Sequence, residues 1–360
     1  MNNQDKIKQF LSRLEIEFPL LQAPMAGGII TPALVSSVAN AGCLGSLASG
    51  YLNAAQLEQL ILETEKLTTK PFAVNLFIPA PYDIDQNKVA TMLKKLNIYR
   101  IKTGLCEVND CKIPNDELAS QLDVILSHKI KIVSFTFGLL DKAAIHSLKS
   151  NGVYLIGTAT RVAEGLALEA AGCDAIVAQG YEAGGHRGTF LGEASSALMG
   201  LMALIPALYR AVKIPVIAAG GIMDGQGVAA CLLLGAVGVQ LGTAFLTCQE
   251  SGASNTYRKL LAQSDGSQTC LTKCLSGKLA RGIVTKLIKE LEELSIPDYP
   301  IQHYLTSDIR KAASAQNQID FITPWAGQGL KASHQLFTAA EIINKIKEEF
   351  NQIAKIHFDF

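Results

Sequence analysis

The segment AQGYEAGGHRGTF, residues 178–190, concentrates side chains able to do chemistry. An apolar run, AIVAQG (175–180), leads into a glycine-rich turn that holds one imidazole, His186, beside one guanidinium, Arg187. An imidazole has the ordinary pKa closest to neutrality, so His186 is a candidate proton donor or acceptor. Gly184, Gly185 and Gly188 lack the Cβ that would keep a ligand away from the backbone. Polar, glycine-rich loops after buried strands are where α/β proteins assemble active sites. The segment therefore reads as part of an enzyme, with His186 as the candidate catalytic residue. Arg187 reads as a structural or substrate-carboxylate partner, and capping of the local turn is the plainer role for His186.

The elements that must position this loop follow one rhythm. From about residue 20, short apolar runs alternate with glycine or polar turns and amphipathic helices. The runs lie at 19–24, 42–48, 71–77, 131–137, 153–159, 175–180, 215–221 and 238–244. Helical patterns fill 32–41, 53–66, 87–96, 116–128, 141–150, 160–171, 198–212 and 224–234. Short runs apolar on both faces suit parallel strands buried under helices. Eight such units over about 230 residues match a (β/α)8 TIM barrel, an α/β fold of about 250 residues. A doubly wound open sheet is the rival, disfavoured by the number of units. The barrel is expected over residues 1–250, with an inserted segment at about 78–115 beside its mouth. Residues 251–360 are expected to form a mainly helical C-terminal cap over that mouth.

In such a barrel the active site gathers at the C-terminal ends of the strands. The residues there are Pro24, Met25, Ala26, Gly27 and Gly28; Asn75; Gln179; Gly184; Gly220 and Gly221; and Gln240, Leu241, Gly242 and Thr243. The set is rich in backbone donors and neutral amides and poor in carboxylates. No acid pair of the glycosidase kind ends the strands, and no cluster suggests a metal. Glycines after the seventh and eighth strands suit a phosphate held by backbone N–H groups at helix N-termini. Asn75 and Gln179 both donate and accept, as a flat heteroaromatic ring with carbonyl and imino edges requires. Phosphate and ring together point to flavin mononucleotide (FMN). A tight turn at AAGGI and a satisfied core amide at Asn75 are the plain alternatives. Gly225-Gln226-Gly227-Val228-Ala229-Ala230 fits a loose dinucleotide-binding pattern, but it follows a strand already closed by Gly220-Gly221 and reads as a helix opening.

Composition narrows the partners. Lys+Arg and Asp+Glu both total 32, so the electrostatic footprint of a nucleic-acid binder is missing. Hydrophobic residues make up 49%, yet the longest apolar stretch (228–239) is glycine-interrupted and too short for a bilayer. No signal-peptide core opens the chain, so a cytoplasmic location is the expectation. Among eight cysteines, Cys106, Cys111, Cys270 and Cys274 have the spacing of a split zinc site but lack the knuckle glycines; reduced, unligated thiols are the better reading. His128, His146, His303, His334 and His357 fall on predicted helices or in the tail and read as solvated or packed.

Taken together, the loops resemble the nitronate monooxygenase family, formerly called 2-nitropropane dioxygenases. The matching pieces are QAPMAGGIITPALVSSVANAGCLG (22–45), VNLF (74–77), TFG (136–138), AQGYEAGGHRG (178–188), IAAGGI (217–222) and VQLGTAFL (239–246), with SGKLARG and WAGQG in the tail. The resemblance implies an FMN-bearing barrel that oxidises nitronates, such as propionate 3-nitronate, with molecular oxygen to a carbonyl compound and nitrite. It implies flavin contacts at Asn75, Gln179, Gly184, Gly221 and Gln240 to Thr243, with Pro24–Gly28 near the ring and His186 as the active-site imidazole. With a neutral nitroalkane His186 would act as a base; with a preformed nitronate it would orient or stabilise the anion. NADH- and FMN-dependent enoyl-acyl-carrier-protein reductases share the barrel, the APMAGG-like start and the EAGGH turn, and are the alternative. A non-enzymatic flavin-binding barrel is a third reading that gives His186 no task. The partners are a small-molecule substrate and oxygen, with a homodimer as a candidate assembly.

Overall fold

A computed structural model of the chain describes residues 3–331 and 335–354. In chain order its strands are β1 (Leu20–Gln22), β2 (Ser46–Ala48), β3 (Ala73–Phe77), β4 (Ile132–Thr136), β5 (Tyr154–Ala159), β6 (Ala175–Gln179), β7 (Gly185–His186), β8 (Val216–Ala219), β9 (Gly238–Leu241), β10 (Thr269–Thr272) and β11 (Ala280–Ile283). Eight of them form one parallel sheet in the order β1-β9-β8-β6-β5-β4-β3-β2. A parallel bridge between Leu21 and Leu44, just before β2, joins the two edges into a barrel. The expected (β/α)8 architecture is the observed one, and each predicted run supplies one wall strand.

Strand side chains alternate between barrel interior and outer helices, so position along a strand decides chemistry. Val74, Val133, Leu155 and Ile176 face the helices, within the main core. Ala73, Ile132, Ala175 and Ile217 fill the interior together with Phe10 and Leu14 of the helix Asn3–Leu14. That helix plugs the N-terminal end; burying Phe10 and Leu14 is worth about 1.5–3 kcal/mol each. Further along, inward positions turn polar: Asn75 and Ser134, two residues after Ala73 and Ile132, line a cavity at the other end together with Gln179 and Gln240.

The regions outside the regular barrel differ from expectation in three ways. The helix within the insertion runs Gln86–Lys102, longer than predicted, and joins a second core through Met92, Leu96 and Tyr99. It packs on the tail helix Ile301–Ala315, where Arg100 is buried against Asp308 at 2.8 Å. The last described helix, Ala339–Ile353, is not part of a cap. It lies against the helices Gly225–Leu233 and Pro32–Asn40, with Ile343 and Ile346 in the main core. It thus fills the outer-wall position after β9, because its apolar stripe matches the gap those helices leave. The tail also contributes strands as well as helices: β11 pairs antiparallel with β10 on one side and with β7, which carries His186, on the other.

Candidate active site

A cavity of about 570 Å³ opens at the C-terminal ends of the strands. Asn75, Ser134, Thr136, Thr158, Gln179 and Gln240 lie on its barrel side, and Pro24, Met25, Ala26 and Gly27 at its edge. Gly220, Gly221, Gly242 and Thr243 line a second side; His303, Arg310 and Trp325 come from the tail. Most of the residues expected to meet a cofactor are therefore brought together. Gly28 and Leu241 are not on the wall; Leu241 is packed in the main core.

Asn75 carries an unsatisfied buried donor on the cavity wall. Its Oδ1 accepts from Ser134 Oγ at 2.9 Å, whereas its buried Nδ2 has no partner among the described residues. A buried donor left open costs roughly 1–3 kcal/mol, so the site is complete only when a ligand acceptor fills it. A ring carbonyl or imino nitrogen fits that need. Gln179 lines the cavity as expected, with its amide already engaged by the protein. Its Nε2 donates to His186 O at 3.0 Å and its Oε1 accepts from Gly188 N at 2.8 Å, so its amide pins the histidine loop.

The glycines divide by cause. A Cβ on Gly184 would stand 2.5 Å from Gly327 N, and one on Gly188 would stand 2.7 Å from Thr158 Cγ2. Close packing against protein therefore requires glycine at both positions, and Gly184 also lines the cavity. Gly220 and Gly221 have φ of +129° and +69°, and among the described residues no acceptor takes the N–H of Gly221 or Gly242. The helix N-terminus expected to hold a phosphate is already capped. Asp224 Oδ1 accepts from Gly227 N at 3.0 Å, and Glu349 Oε2 accepts from Gly225 N at 2.9 Å. The same Asp224 cap makes the loose dinucleotide pattern a helix opening. Among the described residues, the backbone N–H groups left open on this side are those of Gly221 and Gly242.

His186 lines the cavity with Phe137, Tyr299 and Trp325 around its ring. Burial, reinforced by the cations of Lys278 and Arg310, lowers its pKa to about 3, so the ring is neutral near neutral pH. This overturns the expectation of a titration close to neutrality. The Ser276 hydroxyl donates to Lys278 O at 3.1 Å and lies 2.8 Å from His186 Nε2. With its proton used on that carbonyl, Ser276 accepts from Nε2–H, which leaves Nδ1 with a free lone pair. Arg187 is fully buried and donates to the carbonyls of Gly180, Gln179 and Ala197; it is structural, out of reach of a substrate.

Sequence reasoning missed the roof. His303, read as solvated or packed, stacks on Tyr51 with centroids 3.9 Å apart and 8° between planes, and it lines the cavity. Burial and the Arg310 charge lower its pKa to about 2. The signal was present as a helical stripe: His303, Ser307, Arg310, Lys311 and Ser314 all face the cavity from one helix. His334 and His357 lie outside the described residues. No three His, Cys, Asp or Glu side chains gather as a metal site among the described residues. No helix among them is long and apolar enough to cross a membrane.

A TIM barrel with an unfilled amide, open glycine amides and a neutral histidine around one cavity defines a cofactor-dependent enzyme. The comparisons narrow the class. The nitronate monooxygenase family model matches residues 8–349. A probable nitronate monooxygenase of Staphylococcus aureus strain N315 is 44% identical over 98% of this chain and 99% of its own length. Among solved structures, a nitroalkane oxidase from Streptomyces ansochromogenes is similar at a TM-score of 0.90 and 37% identity, over 96% of this chain and 98% of that one. FabK from Thermotoga maritima is similar at 0.76 and 28%, over 96% and 97%. The chain belongs to the nitronate monooxygenase family and is a flavin-dependent oxidoreductase.

Proposed function

We propose that the protein oxidises alkyl nitronates with molecular oxygen to a carbonyl compound and nitrite, using FMN. The observation that carries the substrate's charge is the cavity lining. Among its described residues Arg310 and Lys311 contribute charge, and no carboxylate does. An anion is favoured there and a cation is not. A histidine with a conjugate-acid pKa of about 3 is a weak base toward a carbon acid. The preformed nitronate is therefore the better substrate than the neutral nitroalkane, and His186 orients it instead of deprotonating it.

Asn75 Nδ2 would hold an acceptor on the flavin ring, and the amides of Gly221 and Gly242 would hold its phosphate. When bound, the flavin supplies the electron chemistry, while the protein sets position and electrostatics. His186 offers a lone pair fixed by Ser276. Phe137, Tyr299 and Trp325 keep bulk water from the ring. In this reading the barrel seats the cofactor, and the insertion with the tail to about residue 338 shapes the substrate side.

The test is the anaerobic absorbance spectrum of purified protein with propionate 3-nitronate and NADH added to separate samples. Flavin bleaching by the nitronate, with NADH inert, is expected. Bleaching by NADH alone would reassign the protein to an NADH-dependent reductase. A colourless protein that FMN does not reload would remove the cofactor argument.

A further inference from the structure

Arg310, half-buried, differs in its surroundings from the buried guanidiniums of Arg100, Arg187 and Arg281. Arg100 is paired with Asp308, Arg187 donates to three backbone carbonyls, and Arg281 donates to Tyr181 O and Thr269 Oγ1; none of the three lines the cavity. Arg310 lines the cavity, and among the described residues it forms no salt bridge. Its Nε donates to Thr306 Oγ1 at 3.1 Å and Nη1 to Thr323 Oγ1 at 2.7 Å. Nη2 donates to His303 O at 3.1 Å and lies 3.4 Å from His303 Nδ1. These neutral acceptors fix the guanidinium without neutralising it, and one Nη1 proton has no acceptor. A cation drawn partly out of water without a counter-charge is disfavoured, which makes an anionic ligand the natural complement. Burial accordingly draws its pKa down to about 10. Lys311 adds a second positive charge to the same wall.

Resting on the nitronate-oxidation reading, we propose that Arg310 is a specificity-determining residue that binds the carboxylate of a carboxylate-bearing, dianionic nitronate. Two arguments select this anion. The open glycine amides that suit a phosphate lie on barrel loops, whereas Arg310 projects from the tail helix Ile301–Ala315. The nitronate itself loses electron density during oxidation, so a guanidinium paired with it would stabilise the reactant more than the transition state. A carboxylate keeps its charge throughout, and holding it stabilises both states alike. His303 completes the arrangement. Arginine only donates, so His303 Nδ1 accepts and the ring proton sits on Nε2. The ring is then a second neutral donor in the cavity, beside Tyr51.

The experiment compares flavin-loaded wild type, R310Q and R310K on propionate 3-nitronate and ethyl nitronate. In R310Q the ratio of kcat/KM for the carboxylate-bearing substrate to that for ethyl nitronate is expected to fall about 10- to 100-fold, mostly through KM. R310K should recover part of the ratio, since it restores charge without the planar fork. A second readout needs no turnover: calorimetric titration with succinate, a redox-inert dianion with two planar ends at similar spacing. Succinate should bind wild type, bind R310K more weakly, and fail to bind R310Q. An unchanged ratio with unchanged succinate affinity would overturn the assignment, as would loss of flavin from R310Q, which would place Arg310 on the cofactor phosphate. If wild type oxidises neither nitronate, the functional reading fails, while the succinate titration still tests the Arg310 site.

Discussion

Acidification reports directly on the two cavity histidines. In the folded protein His186 binds its proton only near pH 3 and His303 near pH 2, against an ordinary value of 6.5 for each. The unfolded chain therefore takes up protons first as pH falls. The stability that depends on keeping these rings neutral is fully present above about pH 6.5, declines below it, and is lost by the folded values. For one ring, the loss between about pH 7.5 and about pH 5 is RT ln(1 + 10^1.5), or about 2 kcal/mol. The two rings together give about 4 kcal/mol, a large share of the 5–15 kcal/mol typical of a domain. The assay is urea unfolding of flavin-loaded wild type, H186N and H303N at both pH values. Each variant's baseline stability will shift for packing reasons, so the quantity compared is its own pH difference. That difference should shrink by about 2 kcal/mol in each single variant. A pH difference in H186N equal to that of wild type would refute the claim that His186 is held neutral by burial.

Other expectations rest on single contacts. S276A leaves His186 Nε2–H without its acceptor, a cost of about 1–3 kcal/mol, and should lower kcat about tenfold at matched flavin content; steady-state kinetics on a nitronate decide it. N75L removes the unfilled donor and should weaken flavin retention, read as the absorbance ratio after gel filtration; full occupancy would exclude Asn75 as a cofactor ligand. G221V forces a β-branched residue to φ of +69° in the open-amide turn and should release the flavin; a fully yellow variant would contradict the anion seat there. G184A drives a Cβ into Ala326–Gly327 and should destabilise the fold by about 1–3 kcal/mol, with flavin loosened because Gly327 N also binds Thr243 Oγ1 at 3.0 Å; thermal unfolding and flavin release measure the two effects.

Much of this protein was legible in the residue order, because period and punctuation are local properties. Short two-faced apolar runs alternating with amphipathic helices can bury themselves only as parallel strands under helices. Eight of them closed the barrel as expected. The same local logic placed Asn75 and the glycines of the seventh and eighth turns at the cavity, since strand C-termini converge in this fold. The family resemblance rested on these loops and was met by the family match over residues 8–349.

What tertiary structure decided was environment. Nothing in GGHRG says whether its imidazole meets water or an aromatic wall. Burial beside two cations, set by β11 and the tail, made His186 neutral and Ser276 its partner. Nothing local separates Gln179, whose amide ties down a loop, from Asn75, whose amide waits for a ligand; the difference lies in what crosses over each strand end. The stripe from His303 to Ser314 read as an ordinary helix face until the insertion helix packed on its other side and turned it toward the cavity. Periodicity fixes which residues share a face. Only long-range packing fixes what that face meets, and charge, pKa and ligand choice follow from that contact.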